Sequence, residues 1–133
     1  MKANELLYRR LTAEDAARAH LRALERAPEI GFDTFIVSAP TPFARADCAA
    51  LKADARAVIA RYFPDAPALY RARGWELPAS IGRVYDAGHA ERRLGFRCET
   101  GFVEVLEALR TGRPLPFAHD PAYVSPNEAA GAA

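Results

Sequence analysis

Arg83 and Tyr85 are the residues whose types and spacing best suit the binding of a charged ligand. They stand two residues apart at the end of a short apolar segment, just before Asp86. Arginine presents a rigid, planar fork of donors that matches phosphate, and a phenol at a strand end adds a further polar contact. We predict a substrate-binding pair for a phosphate-bearing ligand. The alternative is an Arg83 that forms surface ion pairs and a Tyr85 that packs in the core.

The three histidines form no catalytic or metal-binding pattern. His20 is expected on the inner face of the first long helix, as a core or interface residue, and His89 at the solvated start of a short helix. His119 stands next to Asp120, but adjacent residues in a proline-rich segment rarely orient one another. We therefore assign no catalytic residue and no metal ligand.

The chain also lacks the motifs that bind and use a dinucleotide. A dinucleotide-binding loop needs glycines two or three residues apart, and no two of the eight glycines here are closer than six residues. Short-chain dehydrogenases use a tyrosine and a lysine four residues apart, and no tyrosine here has a lysine at that spacing. We expect no NAD to be bound, and no redox reaction to be run, by this chain alone.

Charge and composition exclude further classes of function. The 133 residues carry 18 basic and 17 acidic side chains, for a net charge of +1, which gives no electrostatic basis for binding nucleic acid or an anionic membrane surface. The apolar runs are far shorter than the roughly 20 residues that span a bilayer. All basic residues except Lys2 and Lys52 are arginines, which, with the abundant alanine, suggests a GC-rich bacterial gene.

The two cysteines indicate a reducing compartment. Cys48 and Cys98 lie fifty residues apart without CxxC spacing, so a reduced, cytoplasmic protein is expected. Both are expected to be small core residues.

The first long helix is predicted from about Thr12 to Ala27, with Thr12 and Asp15 at the spacing of a capping box and with Pro28 and Gly31 ending it. Its alanines and leucines recur at helical spacing, and their small size predicts close packing against another layer. Further helices are predicted at about 47–62, 65–74, 86–95 and 100–112.

Two segments have the composition of strands. Residues 34–39 form a nearly continuous apolar run typical of a strand buried on both faces, and residues 81–85 form a weaker candidate. The expected fold class is therefore α/β and helix-rich, with a few short strands packed by helices. Residues 1–113 are expected to form a single domain, and the proline-rich residues 114–133 a partly irregular tail.

In order along the chain, these motifs resemble the C-terminal portion of the NAD-dependent epimerase/dehydratase family, the extended short-chain dehydrogenases that include UDP-glucose 4-epimerase. Residues 15–24 read Asp-Ala-Ala-x-Ala-His-x-x-Ala-Leu, like the family's Asp-Ala-Ala-x-Ala-His helix. Residues 35–39 are similar to its late sheet strand. Residues 86–95 read Asp-x-x-x-Ala-x-x-x-Leu-Gly, like its Asp-x-Ser-Lys-Ala-x-x-x-Leu-Gly-Trp stretch, and residues 102–109 fit its closing helix.

The resemblance implies the substrate-lobe region of a nucleotide-sugar epimerase or dehydratase, without the N-terminal Rossmann half that binds NAD. By the same resemblance Arg83 would contact substrate phosphates. Thr12 and Phe96 depart from the usual His and Trp. Such a region is not expected to catalyse alone, and an uncovered strand face is expected to make it a homodimer. The alternative is an interaction module that complements a separate NAD-binding half to form an active epimerase.

Overall fold

The computed structural model describes residues 1–117. Within that range every regular element is helical, and the elements are α1 (Lys2–Glu5), α2 (Ala13–Ile30), a 3-10 helix (Arg45–Asp47), α3 (Cys48–Tyr62), α4 (Ala66–Ala72), α5 (Gly88–Leu94) and α6 (Phe102–Thr111). The core is formed mainly by α1, α3, α4 and α6, and its largest fully buried side chains include Leu6, Leu51, Ile59, Tyr70, Phe102 and Leu106.

The prediction of an α/β fold with short strands is wrong, because no strand forms anywhere in residues 1–117. Residues 34–39 have β-favouring side chains, but within the described chain their backbone makes a single backbone hydrogen bond. Ala39 N–H donates to the carbonyl of Arg10 at 2.8 Å. A strand requires a neighbouring strand for its ladder, and β-propensity describes side chains that suit such a setting rather than a backbone that forms without it.

The weaker strand candidate, residues 81–85, is pinned at its two ends to different segments. Ile81 N–H donates to the Leu51 carbonyl at 2.9 Å, and Tyr85 N–H donates to the Tyr8 carbonyl at 2.7 Å. Two single bonds to separate partners fix the path of the segment without forming a ladder.

Helix α2 begins as predicted and ends later than predicted. Asp15 N–H donates to Thr12 Oγ1 at 3.1 Å, which confirms Thr12 as the N-cap. The helix continues through Pro28 to Ile30, and Gly31 ends it with a φ of 73°. A proline this close to the C-terminus of a helix removes one intrahelical hydrogen bond, and the helix tolerates that loss here.

Helix α3 is broken in its middle by the docking of a distant loop. Asp54 has the non-helical angles φ −152° and ψ 86°. Ala55 N–H therefore donates to the Ala79 carbonyl at 3.0 Å, while the Leu51 carbonyl accepts from Ile81 N–H. The break leaves the Ala55 N–H and the Leu51 carbonyl without their helical partners, and the loop supplies a hydrogen-bond partner for each of them.

The other predicted helices are observed within about two residues of their predicted ends. Of the predicted tail, residues 114–117 contain no regular element. Residues 118–133, with His119 and Asp120, lie outside the described residues. None of the described helices is both long enough and apolar enough to cross a bilayer.

Gly95 ends α5 in the left-handed conformation, with φ 66° and ψ 33°. A Cβ atom there would lie 3.2 Å from Nη2 of Arg22. We expect Gly95→Ala to lower the free energy of unfolding by about 1–2 kcal/mol, because side chains are strained in this conformation. The control is Gly82→Ala, since Gly82 has no positive φ and a methyl group there would meet no atom within 4 Å. Urea denaturation compares the two variants, and equal stabilities would contradict the role of Gly95.

Candidate functional site

Tyr85 lies in the wall of an open cleft of about 410 Å³. The cleft is lined by Thr41, Phe43, Ala44, Arg45, Cys48, Val84, Tyr85 and Asp86. A smaller cleft of about 160 Å³ shares Thr41, Tyr85 and Asp86 with it. The two clefts adjoin, and Tyr85 stands between them with its backbone fixed by the bond to Tyr8.

The structure does not bring the two predicted ligand-binding residues into one cleft. Tyr85 is half-buried in the wall, whereas Arg83 is exposed and lines neither cleft. Val84 lies between them and lines the larger cleft instead. The predicted pair is therefore split between a cleft wall and the open surface.

Arg45 is the cleft residue that sequence reasoning missed. It opens the 3-10 helix that leads into α3, and it lines the same cleft as Tyr85. No motif marks this arginine, because it stands 38 positions before Arg83 and only the fold brings its turn next to the Tyr85 segment.

Asp47 fixes the turn that carries Arg45. Its carboxylate accepts hydrogen bonds from Tyr62 Oη at 2.6 Å and from Ala44 N–H at 2.9 Å, and it also pairs with Arg61. The hydrogen bonds from Tyr62 and from the backbone of Ala44 lower the pKa of this carboxyl group. Asp47 precedes α3 as predicted, but its side chain makes no capping bond to that helix and holds the turn instead.

The two cysteines occupy different environments. Cys98 is buried, as predicted, and burial raises the pKa of its thiol to about 11. The prediction that Cys48 is a core residue is wrong, because its side chain is exposed in the cleft at the first residue of α3. The part of the chain that the structure describes contains no group of three or more His, Cys, Asp or Glu side chains that could hold a metal ion.

A second candidate surface is the outward side of α2, which is apolar. We call it the outer face of α2, and it comprises Ala13, Ala17, His20, Leu21, Leu24, Ala27 and Pro28, all of them exposed. Leu21 is 62% exposed and Leu24 is 73% exposed. The prediction that this stripe lies on the inner side of the helix is wrong, and so is the core placement of His20, while its placement in an interface stays a prediction. The imidazole of His20 instead lies 2.7 Å from the Ala16 carbonyl at the surface.

Polar side chains lie on the inward side of α2, which explains why its apolar stripe faces outward. Asp15 is fully buried, and Arg18 bonds both to it and to Glu99. Arg22 donates to the Leu94 carbonyl at 3.0 Å. Helix α2 is therefore attached to α5 and to the chain before α6 through ion pairs and hydrogen bonds, which leaves its hydrocarbon side uncovered.

The segment after α2 is held at the surface by a small cluster. His89 Nε2 lies 3.0 Å from Asp33 Oδ2, and the rings of Phe35 and His89 stack at a centroid distance of 5.2 Å. The bond to His89 lowers the pKa of the Asp33 carboxyl group. Phe32 is 93% exposed and Ile36 is 51% exposed, so this anchored segment adds two large apolar side chains to the exposed surface.

Comparison with known proteins finds no significant match to this chain among protein-family models, curated proteins or solved structures.

Proposed function

We propose that this chain is the substrate-lobe region of a nucleotide-sugar epimerase or dehydratase, without catalysis of its own, and that it self-associates through the outer face of α2. The order of the sequence motifs in residues 15–24, 86–95 and 102–109 supports the family assignment, whereas residues 35–39, which form no strand, do not. The cleft at Tyr85 supports a ligand-binding role. The uncovered outer face of α2, the observation that carries the proposal, supports association with another surface.

The size of the outer face is suited to an interface between helices. An α-helix of 18 residues is about 27 Å long, and here its outward side presents apolar residues along that length. Burying each leucine would contribute roughly 1–2 kcal/mol, given how exposed both are. In a two-fold dimer each chain contributes the same face, so the two leucines count twice.

The same face also fits the alternative, in which a separate NAD-binding half covers it and the two chains form an active epimerase. That half would supply the glycine loop and the tyrosine–lysine pair that this sequence lacks. Both versions require the outer face of α2 to be buried, and they differ in whether a second copy of the chain suffices.

Light scattering coupled to size-exclusion chromatography separates the two versions. We expect the purified chain to have twice the mass of the 14.5 kDa monomer at tens of micromolar. A clean monomer at that concentration would contradict self-association and favour the version with a separate half.

Titration calorimetry measures whether the chain binds UDP-glucose and whether it binds NAD, and incubation with UDP-glucose shows whether the chain turns it over. We expect UDP-glucose to bind measurably, NAD not to bind, and UDP-glucose not to be turned over. Micromolar NAD binding or any turnover by the isolated chain would overturn the proposal. A cytoplasmic location is part of the proposal, and the two free thiols support it.

A further inference from the structure

We propose that Arg45, and not Arg83, contacts the anionic group of the ligand in the Tyr85 cleft, and that this group is a phosphate or diphosphate. The inference rests on the proposed function, since it assumes that the cleft binds a ligand. The inference goes beyond the proposed function by naming the cation that holds the ligand and the anionic group that this cation recognises.

The guanidinium of Arg45 is available, whereas neighbouring arginines are engaged. Within residues 1–117, the side chain of Arg45 has no hydrogen bond or ion pair, while its backbone carbonyl accepts a hydrogen bond from Cys48 N–H. Arg61, which approaches the same turn, is paired with Asp47, and Arg97 in the smaller cleft lies 3.7 Å from Glu91. An unpaired guanidinium at a cleft is free to make bidentate, charge-assisted bonds to a phosphate.

The lining of the larger cleft also contains one carboxylate, that of Asp86. Its Oδ1 accepts a hydrogen bond from Gly88 N–H at 2.8 Å, and within residues 1–117 it has no ion pair. Arg45 is the one basic side chain among the described residues of that lining, so it is the group there that can hold an anionic ligand.

The turn that carries Arg45 is held in place before any ligand arrives. The carboxylate of Asp47 accepts a hydrogen bond from the backbone of Ala44, which precedes Arg45. It also accepts one from Tyr62 on α3, which ties the turn to that helix. A fixed turn lowers the entropy lost when the guanidinium engages a ligand.

The rest of the lining matches a phosphorylated molecule with a ring system. Thr41 Oγ1 accepts from Phe43 N–H at 3.3 Å, which leaves its hydroxyl hydrogen free to donate. The phenol of Tyr85 supplies a second neutral donor. Phe43 and Val84 form the apolar part of the wall. A nucleoside diphosphate combines these features, and inorganic pyrophosphate carries the anionic part alone.

The test titrates the full chain and three single variants with UDP and, separately, with inorganic pyrophosphate. We expect Arg45→Ala to weaken binding of both probes by about tenfold or more, as the loss of a charge-assisted pair predicts. Arg83→Ala and Arg73→Ala, each of which removes an exposed arginine outside the cleft, should change affinity less than twofold. Circular dichroism and the oligomeric mass confirm that each variant is folded.

The outcomes separate this inference from the proposed function. If the wild-type chain binds the probes and Arg45→Ala binds them equally well, the role of Arg45 is overturned and the proposed function stands. The same holds if Arg83→Ala, and not Arg45→Ala, loses affinity. If the wild-type chain binds neither probe at millimolar concentration, the ligand-binding part of the proposed function fails, and the role of Arg45 fails with it.

Discussion

Asp15→Ala is expected to lower the free energy of unfolding by about 3 kcal/mol. The carboxylate of Asp15 is fully buried. It accepts hydrogen bonds from the backbone N–H groups of Glu99 at 3.0 Å and Thr100 at 3.1 Å, and it pairs with Arg18. Removing it strands two backbone donors and detaches the start of α2 from the chain that leads into α6.

The same carboxylate makes stability depend on pH. Burial alone would raise the pKa of Asp15, but the hydrogen bonds from Glu99, Arg18 and Thr100 outweigh burial and lower it. Since the folded pKa lies below the unfolded one, this contribution is fully present above the unfolded pKa, near 4, and is lost as pH falls through the folded pKa. Asp15→Asn should flatten this acid-side loss of stability.

Urea denaturation at pH 7 and at pH 3 measures both effects. Glu14→Ala is the matched control, because Glu14 is an exposed neighbour on the same helical turn and its loss should change stability by less than about 0.5 kcal/mol. A variant of Asp15 that is as stable as this control would show that the buried carboxylate contributes no stability.

Leu21→Glu together with Leu24→Glu is expected to convert the proposed dimer into a monomer, with at least a hundredfold weaker association. Each substitution places a charge in the centre of the outer face of α2, where pairing would bury it without a partner. The monomer itself should keep its stability, because both leucines are mostly exposed in it. Light scattering across a dilution series measures the mass.

The control for this pair is Val103→Glu on α6. Val103 is 55% exposed and lies outside the outer face of α2, so a substitution to Glu there should leave the proposed dimer intact. A dimer that survives the double substitution, or dissociates equally with Val103→Glu, would contradict association through α2.

Local sequence signals predicted the helices well, because their determinants are local. The Thr12 cap, the glycine at position 95 and the spacing of Phe102, Val105, Leu106 and Leu109 each act within one or two turns. The strands could not be predicted in the same way, since a strand depends on a distant neighbour. Residues 34–39 have the composition of a strand, and no neighbouring strand exists among the described residues.

The side of α2 that faces the core was predicted wrongly, because that choice also depends on residues distant in sequence. The apolar stripe is visible in the sequence, but helical spacing alone does not say which side faces the core. Asp15 and Arg22 find long-range partners at Glu99 and Leu94, and those contacts turn the polar side inward. The local context of Tyr85 made it a candidate, and it lines a cleft, while Arg45 becomes a cleft residue only through tertiary structure.

The break in α3 links the two walls of the cleft. The first half of α3 begins at Cys48 in one wall, and the loop that enters the break continues within four residues from Ile81 to Tyr85 in the other wall. The helix cannot straighten without releasing the loop, since Ala55 N–H would have to exchange the Ala79 carbonyl for the Leu51 carbonyl. Backbone hydrogen bonds within α3 and its inserted loop therefore help to set the distance between the two walls.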